Sequence, residues 1–273
     1  MLLPSIIAAT DLSERSAHVA GRGAQLAQSL GARLVLAHVG ADDGGARFGP
    51  LGRGRQTDTA AEVLPQLAAT FRAEARLLTG EPGAVLADLA VQDNAALVVL
   101  GLHRERRVQD LLRLTTMERI VLASPCPVLI AHQPPERAYT QVLALTDFSP
   151  ASAAALVMAA RLAPKARFHA VHALHLPLGA LFKRGSAESE AALETAKARR
   201  AAFLATPGLP ELTEPPEIVP GGVHQVLEFR RAELAADLLC IGAHSGHKPG
   251  ALGGYARDLM RAPPTDLLVA KPL

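Results

Sequence analysis

Apolar residues fall in short unbroken blocks along this chain, and between the blocks they recur at helical spacing. Residues Leu3 to Ala9 form one block, which ends at Thr10-Asp11; after it, Ala17, Ala20, Ala24 and Ala27 share one helix face. A second block, Leu34 to Val39, follows Gly31. The pattern predicts a buried strand, a helix capped by Ser13 and stopped at Gly31, and a second strand. A Gly/Arg-rich loop from Gly40 to Arg55 leads to a helix from about Thr57 to Arg76, bent or delayed by Pro65. A short strand at Leu77 to Thr79, a helix from Pro82 to Gln92 and the strand Ala96 to Gly101 come next. The helix "TTMERIVLAS" then leads into a closing strand, "PVLIA". Strands that are apolar throughout, alternating with helices, belong to a parallel sheet covered on both faces, so the fold class is α/β.

The pattern then repeats. "IIAATDLSERS" (Ile6 to Ser16) is answered half a chain later by "VLALTDFSPAS" (Val142 to Ser152), and "GARLVLAHV" is echoed by "ARFHAVHA". The interval from Gly80 to Gly101 equals that from Gly221 to Gly242, and Ala153, Leu156, Ala160 and Ala163 echo the first alanine face. Ser149-Pro150 is an N-cap followed by proline at the first helical position, where its missing N–H costs least. The chain is a tandem duplication: one domain over 1–133, a second over 138–273, and a linker, "QPPER", at Gln133 to Arg137. Two such halves are expected to pair as a pseudo-dimer within the chain, with their apolar closing strands near one another. A further homodimer is left open.

Composition narrows the function classes. Hydrophobic residues make up 49%, aromatic residues 3%, and there is no Trp, so the core rests on Ala, Leu and Val. The net charge of +2 and the scarcity of stacking rings argue against a nucleic-acid partner. Cys126 and Cys240 form no CxxC motif or disulfide framework, and no apolar stretch is long enough to span a bilayer. The opening residues lack a basic leader, and a soluble cytoplasmic protein is expected.

In a parallel α/β sheet, ligands bind beyond the carboxyl ends of the strands, where the strand order reverses. Asp11, Val39, Gly101 and Thr115 all fall at such ends in the first half. An acid there can accept from a hydroxyl or amino group, and glycines with a helix N-terminus can offer N–H groups to phosphate. Four histidines give a rival reading: His172 and His175 after the second strand of the second half, and His244 and His247 in its glycine loop, could line a metal or anion site. The repeated position of His38 and His172 argues for packing instead. There is no nucleophile elbow, Walker loop or metalloprotease helix, so a non-catalytic module is expected, with ATP hydrolysis slow at most.

Both halves resemble the universal stress protein family, on the strength of "IIAATDLSERS", "GARLVLAHV" and "SPCPVLIA". The resemblance implies two three-layer α/β/α domains in tandem, each a five-stranded parallel sheet of order 3-2-1-4-5. It further implies a stress-response binding or signalling module that takes ATP or another adenine nucleotide, with Mg accompanying it, or acts through protein partners the sequence does not name. In nucleotide-binding members the acid after strand one and the backbone ending strand two hold base and ribose, and a G-x2-G-x9-G-[ST] loop wraps the phosphates. Carried over, this assigns Asp147, Ala173, Gly242, Gly253 and Gly254 to the second site. In the first half Arg104 and Leu114 stand at glycine positions of the loop from Gly101 to Thr115, so that site is read as degenerate. In the second half the loop runs about two residues short.

Overall fold

The structure, a computed structural model, describes residues 3–13, 16–40, 54–102, 114–132, 134–175, 187–244 and 251–272, with the side chains of 54–59 excepted. The chain divides into two compact units, Met1–Arg137 and Ala138–Leu273. In the first, β1 (Ser5–Ala9), α1 (Ala17–Leu30), β2 (Arg33–Gly40), α2 (Gly54–Thr70) and β3 (Glu74–Thr79) are followed by α3 (Pro82–Gln92), β4 (Ala95–Gly101), α4 (Thr116–Ala123) and β5 (Val128–Ala131). In the second, β6 (Gln141–Leu145), α5 (Pro150–Leu162), β7 (Arg167–Leu174), α6 (Ala187–Leu204) and β8 (Glu217–Pro220) precede α7 (Val223–Leu234), β9 (Leu238–Gly242), α8 (Gly254–Arg261) and β10 (Asp266–Ala270).

All the pairings within each unit are parallel, in the order β3-β2-β1-β4-β5 and β8-β7-β6-β9-β10. Both are the expected 3-2-1-4-5 order, which reverses between β1 and β4 and between β6 and β9. The central strands are buried along nearly their whole length: Ile6, Ile7, Leu97, Val98 and Val99 in one unit, Val142, Leu238 and Leu239 in the other, are all fully enclosed. Burial on both faces is why these strands read as continuous apolar runs.

Several local readings shift. The residue before α1 is Ser16 rather than Ser13, because Ser13 is drawn into a turn by Asp11. Gly23 lets α1 approach the sheet closely, since a Cβ there would stand 3.0 Å from both Ala8 Cβ and Leu34 Cδ1; Ala17 and Ala24 lie off the buried face. The second helix stops at Thr70, and β3 begins at Glu74, three residues before the apolar signal. The ladder to β2 starts at Val35 opposite Glu74, and an edge strand tolerates charge there: Arg33 reaches Glu74 at 2.6 Å and Arg76 reaches it at 3.0 Å. In the second unit Ser149 caps α5 by accepting from Ser152 N, with Pro150 at the first helical position, as expected. Among the described residues no helix is long and apolar enough to cross a membrane.

Candidate functional site

The two aspartates sit on matching elbows between the first strand and first helix of each unit. The amide of Thr10 extends the ladder to Ala37 O at 2.9 Å, and that of Thr146 reaches Val171 O at 3.0 Å. The next-but-one residue turns back: Leu12 has φ 59° and Phe148 φ 61°, left-handed conformations that cost a bulky side chain about 1–3 kcal/mol. The threonine hydroxyls offset this by accepting from Leu12 N at 3.0 Å and Phe148 N at 2.8 Å. Each hydroxyl also meets a serine on the helix, Ser16 at 2.7 Å or Ser152 at 2.8 Å, which donates on to the carbonyl of Ser13 or Ser149. The carbonyls of Thr10 and Thr146 accept from His38 Nδ1 at 2.8 Å and His172 Nδ1 at 2.7 Å.

Each elbow thus delivers an aspartate beyond the strand end, but the two are engaged differently. Asp11 is exposed, and its Oδ1 accepts from both the amide (3.0 Å) and the hydroxyl (2.6 Å) of Ser13. Asp147 is half-buried, and its Oδ1 accepts from Ser149 N at 3.0 Å, while the Ser149 hydroxyl is used to cap α5. Val39 and Ala173 lie near the ends of β2 and β7, opposite Leu78 and Val219 in the neighbouring strands.

A larger difference lies at the helices after β4 and β9. In the first unit Thr115 Oγ1 accepts from Glu118 N at 3.1 Å, and Glu118 Oε2 accepts from Thr115 N at 2.8 Å. This capping box places a fully buried carboxylate at the N-terminus of α4 and satisfies two donors from within. In the second unit the N-cap of α8 is Gly253, at the place Thr115 holds in the first, and among the described residues no side chain caps the helix. The Gly253 amide itself donates to Ala243 O at 3.1 Å, tying the helix start to the end of β9. Among the described residues, no side chain accepts from the first-turn amides of Gly254, Tyr255 and Ala256. Just before the two caps stand Leu114, exposed, and Leu252.

Not every glycine here has the same reason to be one. A Cβ on Gly101 would meet Val19 Cγ2 at 2.9 Å, and one on Gly242 would meet Ala151 Cβ at 2.8 Å and Ser152 N at 2.9 Å. These two glycines let the first helix of each unit close on the sheet. Among the described residues, nothing lies within 4 Å of a Cβ on Gly254. Arg104 and His247 lie outside the described residues. His172 is committed to the Thr146 carbonyl and packs on Phe148 at 4.9 Å, so it serves the elbow, while His175 is exposed. Among the described residues no group of three or more His, Cys, Asp or Glu side chains is placed to hold a metal. Burial pushes the Cys240 thiol far up, which keeps it protonated and unreactive. The strained residues Leu12 and Phe148 went unmarked in the sequence, because no glycine or asparagine announces the turn.

A family model described as the universal stress protein family matches residues 4–132 and again 138–271. A universal stress protein from Thermus aquaticus, named for its place in the 3' region of a sulfhydrylase gene, is 28% identical over 135 residues, covering 47% of this chain and 98% of its own. The solved structure of a universal stress protein from Archaeoglobus fulgidus DSM 4304 covers 98% of this chain and 96% of its own, at 18% identity and a TM-score of 0.68. That likeness is one of fold. A universal stress protein of Archaeoglobus fulgidus in complex with dAMP matches one half, at 23% identity over 47% of this chain and 96% of its own, with a TM-score of 0.35.

Proposed function

This chain belongs to the universal stress protein family, with two such domains in tandem, and from that premise we propose that it binds an adenine nucleotide, ATP or a close relative, in its second unit and serves as a non-catalytic stress-response module. The observation that carries the reading is the open N-terminus of α8. Among the described residues its first turn has no side-chain cap, and none of them comes within 4 Å of a Cβ placed on Gly254. Uncapped amides at a helix start favour an anion such as phosphate. Gly253 ties this helix to the end of β9, whose neighbour β6 leads into Asp147, so the helix end and the acid flank the point where strand order reverses.

In this reading Asp147 accepts from a sugar hydroxyl or base amino group with the oxygen that Ser149 leaves open. Ala173 lends its backbone to the base, and Gly242 and Gly254 border the phosphates, with Mg arriving on the nucleotide. The first unit takes nucleotide weakly or not at all: its helix end is capped by Thr115 and a buried Glu118, and Asp11 is held twice by Ser13. Titration of the whole chain with Mg-ATP by calorimetry tests this. Asp147→Ala should lose a charge-assisted hydrogen bond of about 1.5–3 kcal/mol, roughly a ten- to hundredfold rise in Kd, with circular dichroism unchanged. Affinity that survives in Asp147→Ala would make the acid a turn residue only.

A further inference from the structure

The strand-two histidines have a role that neither the family match nor the nucleotide reading assigns. A carbonyl oxygen only accepts, so the 2.7 Å contact from His172 to Thr146 O requires a proton on Nδ1, and the 2.8 Å contact from His38 to Thr10 O requires the same. Both bonds cross from the second strand to the first at the residue just before the aspartate. They persist although the halves have diverged around them: the next residue but one is Leu12 in one elbow and Phe148 in the other. In the second unit the imidazole also packs on the Phe148 ring, with centroids 4.9 Å apart, and Phe148 meets Phe203 of α6 at 5.6 Å. The Thr146 peptide is thus fixed from three sides: its amide by Val171 O, its hydroxyl by Ser152 and Phe148 N, and its carbonyl by His172.

We infer that His172, and His38 in the other unit, are positioning residues: each locks into the Nδ1–H tautomer to brace the strained elbow that presents the aspartate. For His172 this rests on the nucleotide reading, since the aspartate it positions is the proposed ligand contact. Removing the brace frees the Thr146 peptide to rotate, lets Phe148 leave its left-handed conformation, and turns Asp147 away from the strand end. Losing a well-aligned charge-assisted hydrogen bond is enough to cost roughly ten- to hundredfold in affinity.

Two variants of the full chain separate the bond from the ring. Asparagine places an amide N–H near the position of Nδ1 without the ring, and phenylalanine keeps a ring of similar size without the donor. His172→Asn should hold Mg-ATP within about threefold of wild type, and His172→Phe should lose about tenfold or more. Nitrogen-15 imidazole spectra of the wild type should show Nδ1–H at both His38 and His172, and hydrogen exchange at the Phe148 amide should stay slow in His172→Asn and quicken in His172→Phe. The spectra and the exchange rates need no ligand, so they judge the brace by themselves, while wild-type titration judges the nucleotide reading. An Nε2–H tautomer at His172, or a phenylalanine variant as protected and as tight-binding as wild type, overturns the inference.

Discussion

Gly242 and Gly254, twelve positions apart in sequence, illustrate two unrelated reasons for a glycine. At Gly242 a methyl group would press on the backbone nitrogen of Ser152 at 2.9 Å and on Ala151 at 2.8 Å, and neither the strand nor the start of α5 has room to give. Gly242→Ala should therefore cost about 1–3 kcal/mol of stability, read by chemical denaturation. Gly254 lies in the first turn of a helix, in ordinary helical conformation, and no described residue comes within 4 Å of where its Cβ would stand. Gly254→Leu should leave stability unchanged or raise it by up to about 1 kcal/mol, because glycine is a poor helix former. The same variant should weaken Mg-ATP binding in the titration. A Gly254→Leu chain that unfolds easily, or one that binds as before, would contradict the assignment. Both glycines were legible as candidate site residues, yet the sequence could not separate them, since close packing and close ligand approach both ask for a missing Cβ. The hydrogen-bonded elbows were half legible: Thr, Asp and Ser could be read off both repeats, but the histidine that braces them lies on another strand.

Among the elements, the strands of the parallel sheets were the most legible, because burial on both faces leaves an apolar signature that few other structures share. The edge strand β3 was read three residues short, since none of it is fully buried and its first half carries Glu74 and Arg76. The linker also reads differently in space. Pro134 to Arg137 look like a free tether by composition, yet they lie along α1. Pro135 sits over Gly21, where a Cβ would meet its ring at 2.9 Å, and Arg22, only 4% exposed, donates to Arg137 O at 3.1 Å and to Gln25 at 2.6 Å. His18 adds a contact to Ala131 O at 3.1 Å. The repeat in the second unit has Met158 in place of Arg22. Arg22, which stands alone among Asp, Glu, Lys and Arg in α1, was the signal for this seat. Arg22→Met should release the strap and speed tryptic cleavage after Arg137, detected as a fragment beginning at Ala138. An unchanged cleavage rate would show that the strap holds without it.

For the whole molecule, duplication has kept the frame and let the chemistry drift. Strand order, elbows, bracing histidines and the packing glycines Gly101 and Gly242 recur in both units, since each is demanded by the fold. The helix ends have parted: α4 is closed by its own threonine and glutamate, and α8 starts at two glycines with no side-chain cap among the described residues. The same divergence separates the aspartates, with Asp11 held twice by Ser13 and Asp147 once by Ser149. The repeat made the frame readable from the sequence. The asymmetry was only partly readable, because a Thr-x2-Glu capping box in one half has meaning only when the other half is seen to lack it. The measurement that bears most directly on the central claim is calorimetric titration of the full chain with Mg-ATP, comparing wild type, Asp11→Ala and Asp147→Ala. The account predicts one nucleotide per chain, binding unaltered by Asp11→Ala and weakened about ten- to hundredfold by Asp147→Ala. Two equivalent sites, or a loss of binding with Asp11→Ala alone, would contradict it.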